Sequence, residues 1–130
     1  MIRILFVDDE PLVLASLRDA LRRERQHWHM VFVESAQDAL RELEKGHFDA
    51  MVTDMRMPMM DGATLLRCAH DRFPGMARLA LSGHAEYGRM RPVPAAHVFL
   101  MKPCSPEVLR AAVEQGLQAA RNDARARVNG

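Results

Sequence analysis

Cysteine is scarce in this 130-residue chain: Cys68 and Cys104 stand far apart, with no CxxC and no Cys/His spacing that would hold zinc. A disulfide framework and a structural zinc site are therefore excluded, and both thiols are expected to be reduced, as in a cytoplasmic protein. No apolar stretch approaches the ~20 residues that cross a bilayer. The first residues also lack the basic region, apolar core and cleavage site of a secretion signal, so no membrane partner is expected. Charge of one sign is missing too, because 18 basic and 17 acidic side chains leave a net +1. That balance gives no global attraction to nucleic acid or anionic lipid. Neither GxGxxG nor GxxxxGKS/T occurs, which argues against a nucleotide-binding loop. Lysine is confined to Lys45 and Lys102 in a chain otherwise rich in arginine, so each lysine stands out.

What is present is a globular composition, 48% hydrophobic and 27% charged, in a length that suits one domain. The run Ile2-Arg3-Ile4-Leu5-Phe6-Val7 reads as a buried strand that ends abruptly in Asp8-Asp9-Glu10. Pro11 then opens a helix with Leu14, Leu17, Ala20 and Leu21 at helical spacing, ending in the basic run Arg22–Arg25. Met30–Val33 is a second strand, followed by a helix capped by Ser35 and stopped by Gly46. Phe48–Thr53 forms a third strand ending at Asp54, and a helix after Gly62 closes at Pro74-Gly75. Ala77–Leu81 and Val98–Met101 are the fourth and fifth strands, and Ser105 with Pro106 opens the last helix. Pro92 and Pro94 leave room for only a short or irregular fourth helix between those two strands. The alternation predicts an α/β fold around a mostly parallel sheet, with residues 1–121 as the domain and 122–130 as a frayed tail or the start of a linker.

Ligands of open parallel sheets bind beyond the carboxyl ends of the strands. Here those ends carry Asp8 and Asp9, Asp54, Ser82 and Lys102: three carboxylates, a hydroxyl and an amine. Carboxylates held close raise one another's pKa unless a cation joins them. Mg2+ suits this oxygen set and Mn2+ could substitute, while Lys102 and Ser82 supply an ammonium and a hydrogen-bond donor for phosphoryl oxygens.

Four segments in this order, ILFVDDEP (4–11 with its apolar lead), VTDMRMPMMDG (52–62), Leu81-Ser82-Gly83 and FLMKP (99–103), resemble the receiver domain of two-component response regulators over about residues 2–121. The resemblance implies a doubly wound, flavodoxin-like five-stranded parallel sheet with strand order 2-1-3-4-5. It implies that Asp54 is the phosphoacceptor, charged by a phosphohistidine on a sensor histidine kinase or histidine phosphotransfer protein. It further implies metal ligation by Asp8, Asp9, Asp54 and the backbone carbonyl of Arg56, phosphoryl binding by Lys102 and Ser82, and a switch formed by Ser82 and Phe99. Arg56 and His84 occupy positions whose side chains modulate phosphoryl lifetime in this family. Phe99 stands where many members carry tyrosine, and Lys102-Pro103 matches the family's Lys-Pro step. The output domain or protein is left unknown, direct DNA binding by this chain is not expected, and a homodimer remains open.

Blander readings apply elsewhere. The methionines at 55, 57, 59 and 60 read as flexible packing and Asp61-Gly62 as a turn and helix start. His27-Trp28-His29 reads as a loop before a strand, and His47, His70 and His97 as ordinary surface or core residues. Two other functions compete with the switch: a receiver-like binding module that is never phosphorylated, and an aspartyl-phosphate phosphohydrolase. The second lacks the further Asp two positions after its nucleophile, since Asp54 is followed by Met55-Arg56.

Overall fold

The computed structural model describes residues 1–83 and 94–129. Strand β1 (Ile2–Val7) leads into α1 (Pro11–Ala20), then a 3-10 turn (Arg22–Gln26), β2 (Trp28–Val33), α2 (Ala36–Lys45) and β3 (Ala50–Asp54). Helix α3 (Gly62–Arg72), β4 (Ala77–Ser82), β5 (Val98–Met101) and α4 (Pro106–Asn129) follow. The strands form one sheet in the order β2-β1-β3-β4-β5, parallel throughout, as expected. The expected short or irregular helix between β4 and β5 falls on residues 84–93, outside the described residues.

Local chemistry accounts for the helix ends. Pro11 sits in the first turn of α1, where its missing N–H costs nothing. Ser35 Oγ accepts from the Asp38 N–H at 3.0 Å, Asp61 Oδ1 from the Thr64 N–H at 2.8 Å and Ser105 Oγ from the Val108 N–H at 3.2 Å. The basic run after α1 is not the end of that helix but the separate 3-10 turn, reached through Leu21, which is buried. Strand β2 starts earlier than its apolar run suggests. Trp28 is buried in the core and pairs with Ile2, so Trp28 and His29 belong to the strand and not to a preceding loop.

The three central strands are buried on both faces, which is why they read as continuous apolar runs instead of alternating ones. Ile4, Phe6, Val52, Leu79 and Leu81 face Leu14 and Leu21 with Leu109, Val113 and Leu117 of α4. Leu5, Val7, Met51 and Ala80 face Ala39 and Leu43 of α2 with Leu65, Leu66 and Ala69 of α3. Register then aligns the carboxyl ends: Val7 pairs with Thr53, Asp54 with Leu81 and Ser82 with Met101. The residues that follow β1 and β5, Asp8 and Lys102, are thereby delivered to the same edge as Asp54 and Ser82.

Candidate functional site

Lys102 spans the site. Its Nζ donates to Asp8 Oδ2 at 2.9 Å and lies 2.9 Å from Asp54 Oδ1, joining the ends of β1, β3 and β5 through one ammonium. Asp8 and Asp54 are buried, at 2% and 6% exposure, so this contact is shielded from bulk water. The Lys102 N–H donates to the Ser82 carbonyl at 2.7 Å, which holds the residue against the end of β4. The Lys102-Pro103 peptide is cis. Asp8 Oδ1 accepts from the Glu10 N–H at 2.9 Å, which bends the chain away from β1 and into α1. Carboxylate oxygens of Asp8, Asp9 and Glu10 lie within 4.8 Å of one another, the sole such grouping of potential metal ligands among the described residues. Glu10 is exposed at the start of α1 and was not among the expected ligands.

Burial pushes the Asp54 carboxyl above its ordinary pKa, opposed by the hydrogen bond and charge of Lys102 and reinforced by the negative charges of Asp8 and Asp9. Burial works against the Lys102 ammonium, yet hydrogen bonds to Asp8 and Asp54 and their charges hold its pKa above the ordinary lysine value. A raised lysine pKa contributes stability that is fully present below the unfolded value and is lost as pH rises through the folded one. Lys102→Met should therefore lose about 1–3 kcal/mol at neutral pH in urea unfolding, because two buried carboxylates are left without a counter-charge. The deficit should shrink in strongly alkaline solution. Equal midpoints at neutral pH would show that the ammonium does not stabilise the site.

Residues 4–114 match the family model for the response regulator receiver domain. The chain belongs to that family. The transcriptional regulatory protein GlrR of Escherichia coli is 31% identical over 117 residues, covering 88% of this chain and 26% of GlrR. A response regulator receiver domain protein from Clostridium thermocellum superposes with a TM-score of 0.83 at 25% identity, covering 93% of this chain and 98% of that one. The response regulator TrrA of Thermotoga maritima, crystallised in complex with Mg2+-BeF, shares the fold with a TM-score of 0.79 at 24% identity over 89% of this chain and 99% of that one. The chain spans about a third or less of the curated relatives it matches. It is a receiver domain of the two-component type, a signalling fold, and no described helix is long and apolar enough to cross a membrane.

The remaining expected residues of the receiver take these places. Ser82 is fully buried at the end of β4, with its hydroxyl 3.4 Å from the Gly83 carbonyl. Phe99, on edge strand β5, is half-buried against the α2/α3 side of the core. Arg56 is exposed in the loop after Asp54, and His84 lies outside the described residues. Gly62, which reads as a simple helix start, packs so tightly against the end of β3 that a Cβ there would sit 2.2 Å from the Asp54 carbonyl oxygen. Its N–H donates to the Met55 carbonyl at 3.1 Å, and the Met55 N–H in turn donates to the Leu81 carbonyl at 3.1 Å. A glycine following an Asp at a helix start was the available signal, but the close approach depends on how the loop of residues 55–61 folds back onto the end of β3.

Proposed function

We propose that this receiver is a phosphorylation-dependent switch in which Asp54 accepts a phosphoryl group from a phosphohistidine on a sensor histidine kinase or histidine phosphotransfer protein. The observation that carries the reading is the Lys102 ammonium held 2.9 Å from both Asp8 and Asp54. In the transfer, an Asp54 carboxylate oxygen forms a bond to phosphorus as the bond from phosphorus to the donor imidazole breaks. The departing nitrogen keeps the electron pair. Lys102 neutralises charge on the phosphoryl oxygens, and the Ser82 hydroxyl turns to donate to one of them while Phe99 moves inward behind it. Arg56 and His84 set how long the phosphoryl group survives.

The donor set is all oxygen and hard, and close carboxylates at 8, 9 and 10 fit a hard divalent cation. Asp8, Asp9, Asp54 and the Arg56 carbonyl would hold Mg2+, with Mn2+ as a substitute. When bound, the ion supplies positive charge against phosphoryl oxygens. Asp9→Ala should weaken Mg2+ binding by about tenfold or more in a calorimetric titration, with unchanged affinity as the contrary result.

An apolar groove of about 370 Å³ beside Lys102, lined by Leu12, Leu17, Pro103 and Cys104, supports a protein donor, since Leu12 is 82% exposed at its rim. Residues 1–121 form the receiver, and 122–130 begin a linker toward an output domain or protein in a cytoplasmic signalling pathway. The domain acts as a switch and not through substrate turnover.

Intact-mass measurement after incubation with acetyl phosphate tests the reading. A gain of one phosphoryl group that requires Mg2+ is the expected result. No gain with any donor, together with retained partner binding, would make the domain an unphosphorylated binding module. Hydrolysis of small phosphate esters would instead favour the phosphohydrolase.

A further inference from the structure

A second buried polar cluster lies at the opposite edge of the sheet. Arg78, near the start of β4, is 3% exposed, and its guanidinium donates to the carbonyls of Ala95 at 2.6 Å, Met76 at 2.8 Å and Pro74 at 3.3 Å. Its backbone is clipped to His97 twice. The His97 N–H donates to the Arg78 carbonyl at 2.7 Å, and the Arg78 N–H donates to His97 Nδ1 at 3.0 Å. The other ring nitrogen, Nε2, is 2.8 Å from Asp123 Oδ2 on α4. The His97 side chain is only 7% exposed.

These partners fix the protonation state. Nδ1 faces a backbone donor and must offer a lone pair, while Nε2 faces a carboxylate and must carry the hydrogen, so the ring is neutral. We propose that Arg78, His97 and Asp123 form a proton-sensitive latch that holds the outgoing end of α4 against the sheet. A proton added at Nδ1 would point at the Arg78 N–H, and the new charge would stand beside the Arg78 guanidinium. The pair with Asp123 survives protonation, so the contact that breaks is the one to the Arg78 N–H, and the ring swings outward about its own side-chain bonds while its backbone stays beside β4, drawing the Asp123 end of α4 off the sheet. The last stripe residues of α4, Ala120 and Ala124, are small, which leaves this polar contact to secure the helix where its buried face ends.

The charged and titratable groups facing the ring come from three elements: Asp123 on α4, Arg78 on β4 and His70 on α3. Burial holds the His97 pKa below its ordinary value, aided by Arg78 and His70 and opposed by Asp123. The unfolded chain therefore binds the proton more readily. Stability from this cluster is complete above the ordinary histidine value and is lost as pH falls from there through the folded pKa.

Nitrogen NMR of the wild-type ring, with amide hydrogen exchange followed against pH, tests the latch without any phosphodonor. The ring is expected to carry hydrogen on Nε2 alone at neutral pH. Protection of the Arg78 amide and of residues 121–127 should fall together by roughly tenfold as His97 titrates, after correction for intrinsic exchange. His97→Asn keeps an acceptor for the Arg78 N–H but neither titrates nor reaches Asp123. In that variant Arg78 protection should stay flat with pH, while protection of residues 121–127 should be about fivefold lower throughout. A hydrogen on Nδ1 at neutral pH, or wild-type protection of α4 that ignores the His97 titration, would overturn the proposal.

Discussion

Asp54→Asn is expected to take up no phosphoryl group from acetyl phosphate and, in the same preparation, to be more stable than the wild type. The first effect follows from chemistry: an amide oxygen is a poor nucleophile, so uptake should fall on the order of a thousandfold or more. The second follows from the site's electrostatics. Burial holds the Asp54 carboxyl above its ordinary pKa despite Lys102, so the folded state retains the proton where the unfolded chain has lost it. Stability accordingly falls as pH rises above the ordinary aspartate pKa, so a penalty is present at neutral pH. Asparagine keeps an oxygen for Lys102 and leaves the Asp8 contact at 2.9 Å in place. The variant should gain about 1 kcal/mol at neutral pH, a gain that disappears below the ordinary aspartate pKa. Intact mass reads the first effect and urea unfolding at two pH values reads the second. Wild-type labelling of the variant would remove Asp54 as the acceptor, whereas an unstable but unlabelled variant would spare the acceptor assignment and contradict the electrostatic one.

Gly62→Ala should be among the most damaging single-methyl additions in the domain. Alanine is the better helix former by ~1 kcal/mol, so propensity alone predicts a gain. Space decides otherwise. The added Cβ would lie 2.2 Å from the Asp54 carbonyl oxygen and 2.7 Å from Met55 Cα, both backbone atoms that no rotamer change can clear. The φ at Gly62 is not positive, so the requirement is for close approach and not for a left-handed conformation. Either α3 lifts from β3 or the end of β3 moves, at an expected cost of about 2–4 kcal/mol in urea unfolding. A displacement of the Asp54 carboxylate should also slow phosphoryl uptake on the order of a hundredfold. Gly75→Ala is the matched control: a Cβ there meets nothing within 4 Å, so its effect should stay within about 0.5 kcal/mol. Equal stability of the two variants would show that the contact beneath Asp54 can relax.

Asp8, Asp54 and Ser82 were legible as strand-end residues because parallel strands buried on both faces announce themselves as continuous apolar runs, while Lys102 was marked by the short apolar run of edge strand β5 that it follows. Strand β2, at the sheet edge, was less legible. Trp28 is held in it by pairing with Ile2, a partner remote in sequence, while the flanking histidines suggested a loop. His97 reads as ordinary for the same reason: it has no local pattern, and its link to Arg78 and Asp123 exists only once β4, β5 and α4 are packed.

The sequence by itself determined the order of strands and helices, the caps at Ser35 and Ser105, the turn and helix start at Asp61-Gly62, and the set of acids and the lysine at the strand ends. These are encoded in short-range periodicity and in side chains acting on their own backbone. Only the tertiary structure decided that one ammonium joins Asp8 to Asp54, that Gly62 must lack a side chain, and that His97 stands neutral between Arg78 and Asp123. Those facts depend on distances between atoms from different strands and helices, which packing sets and no local pattern records.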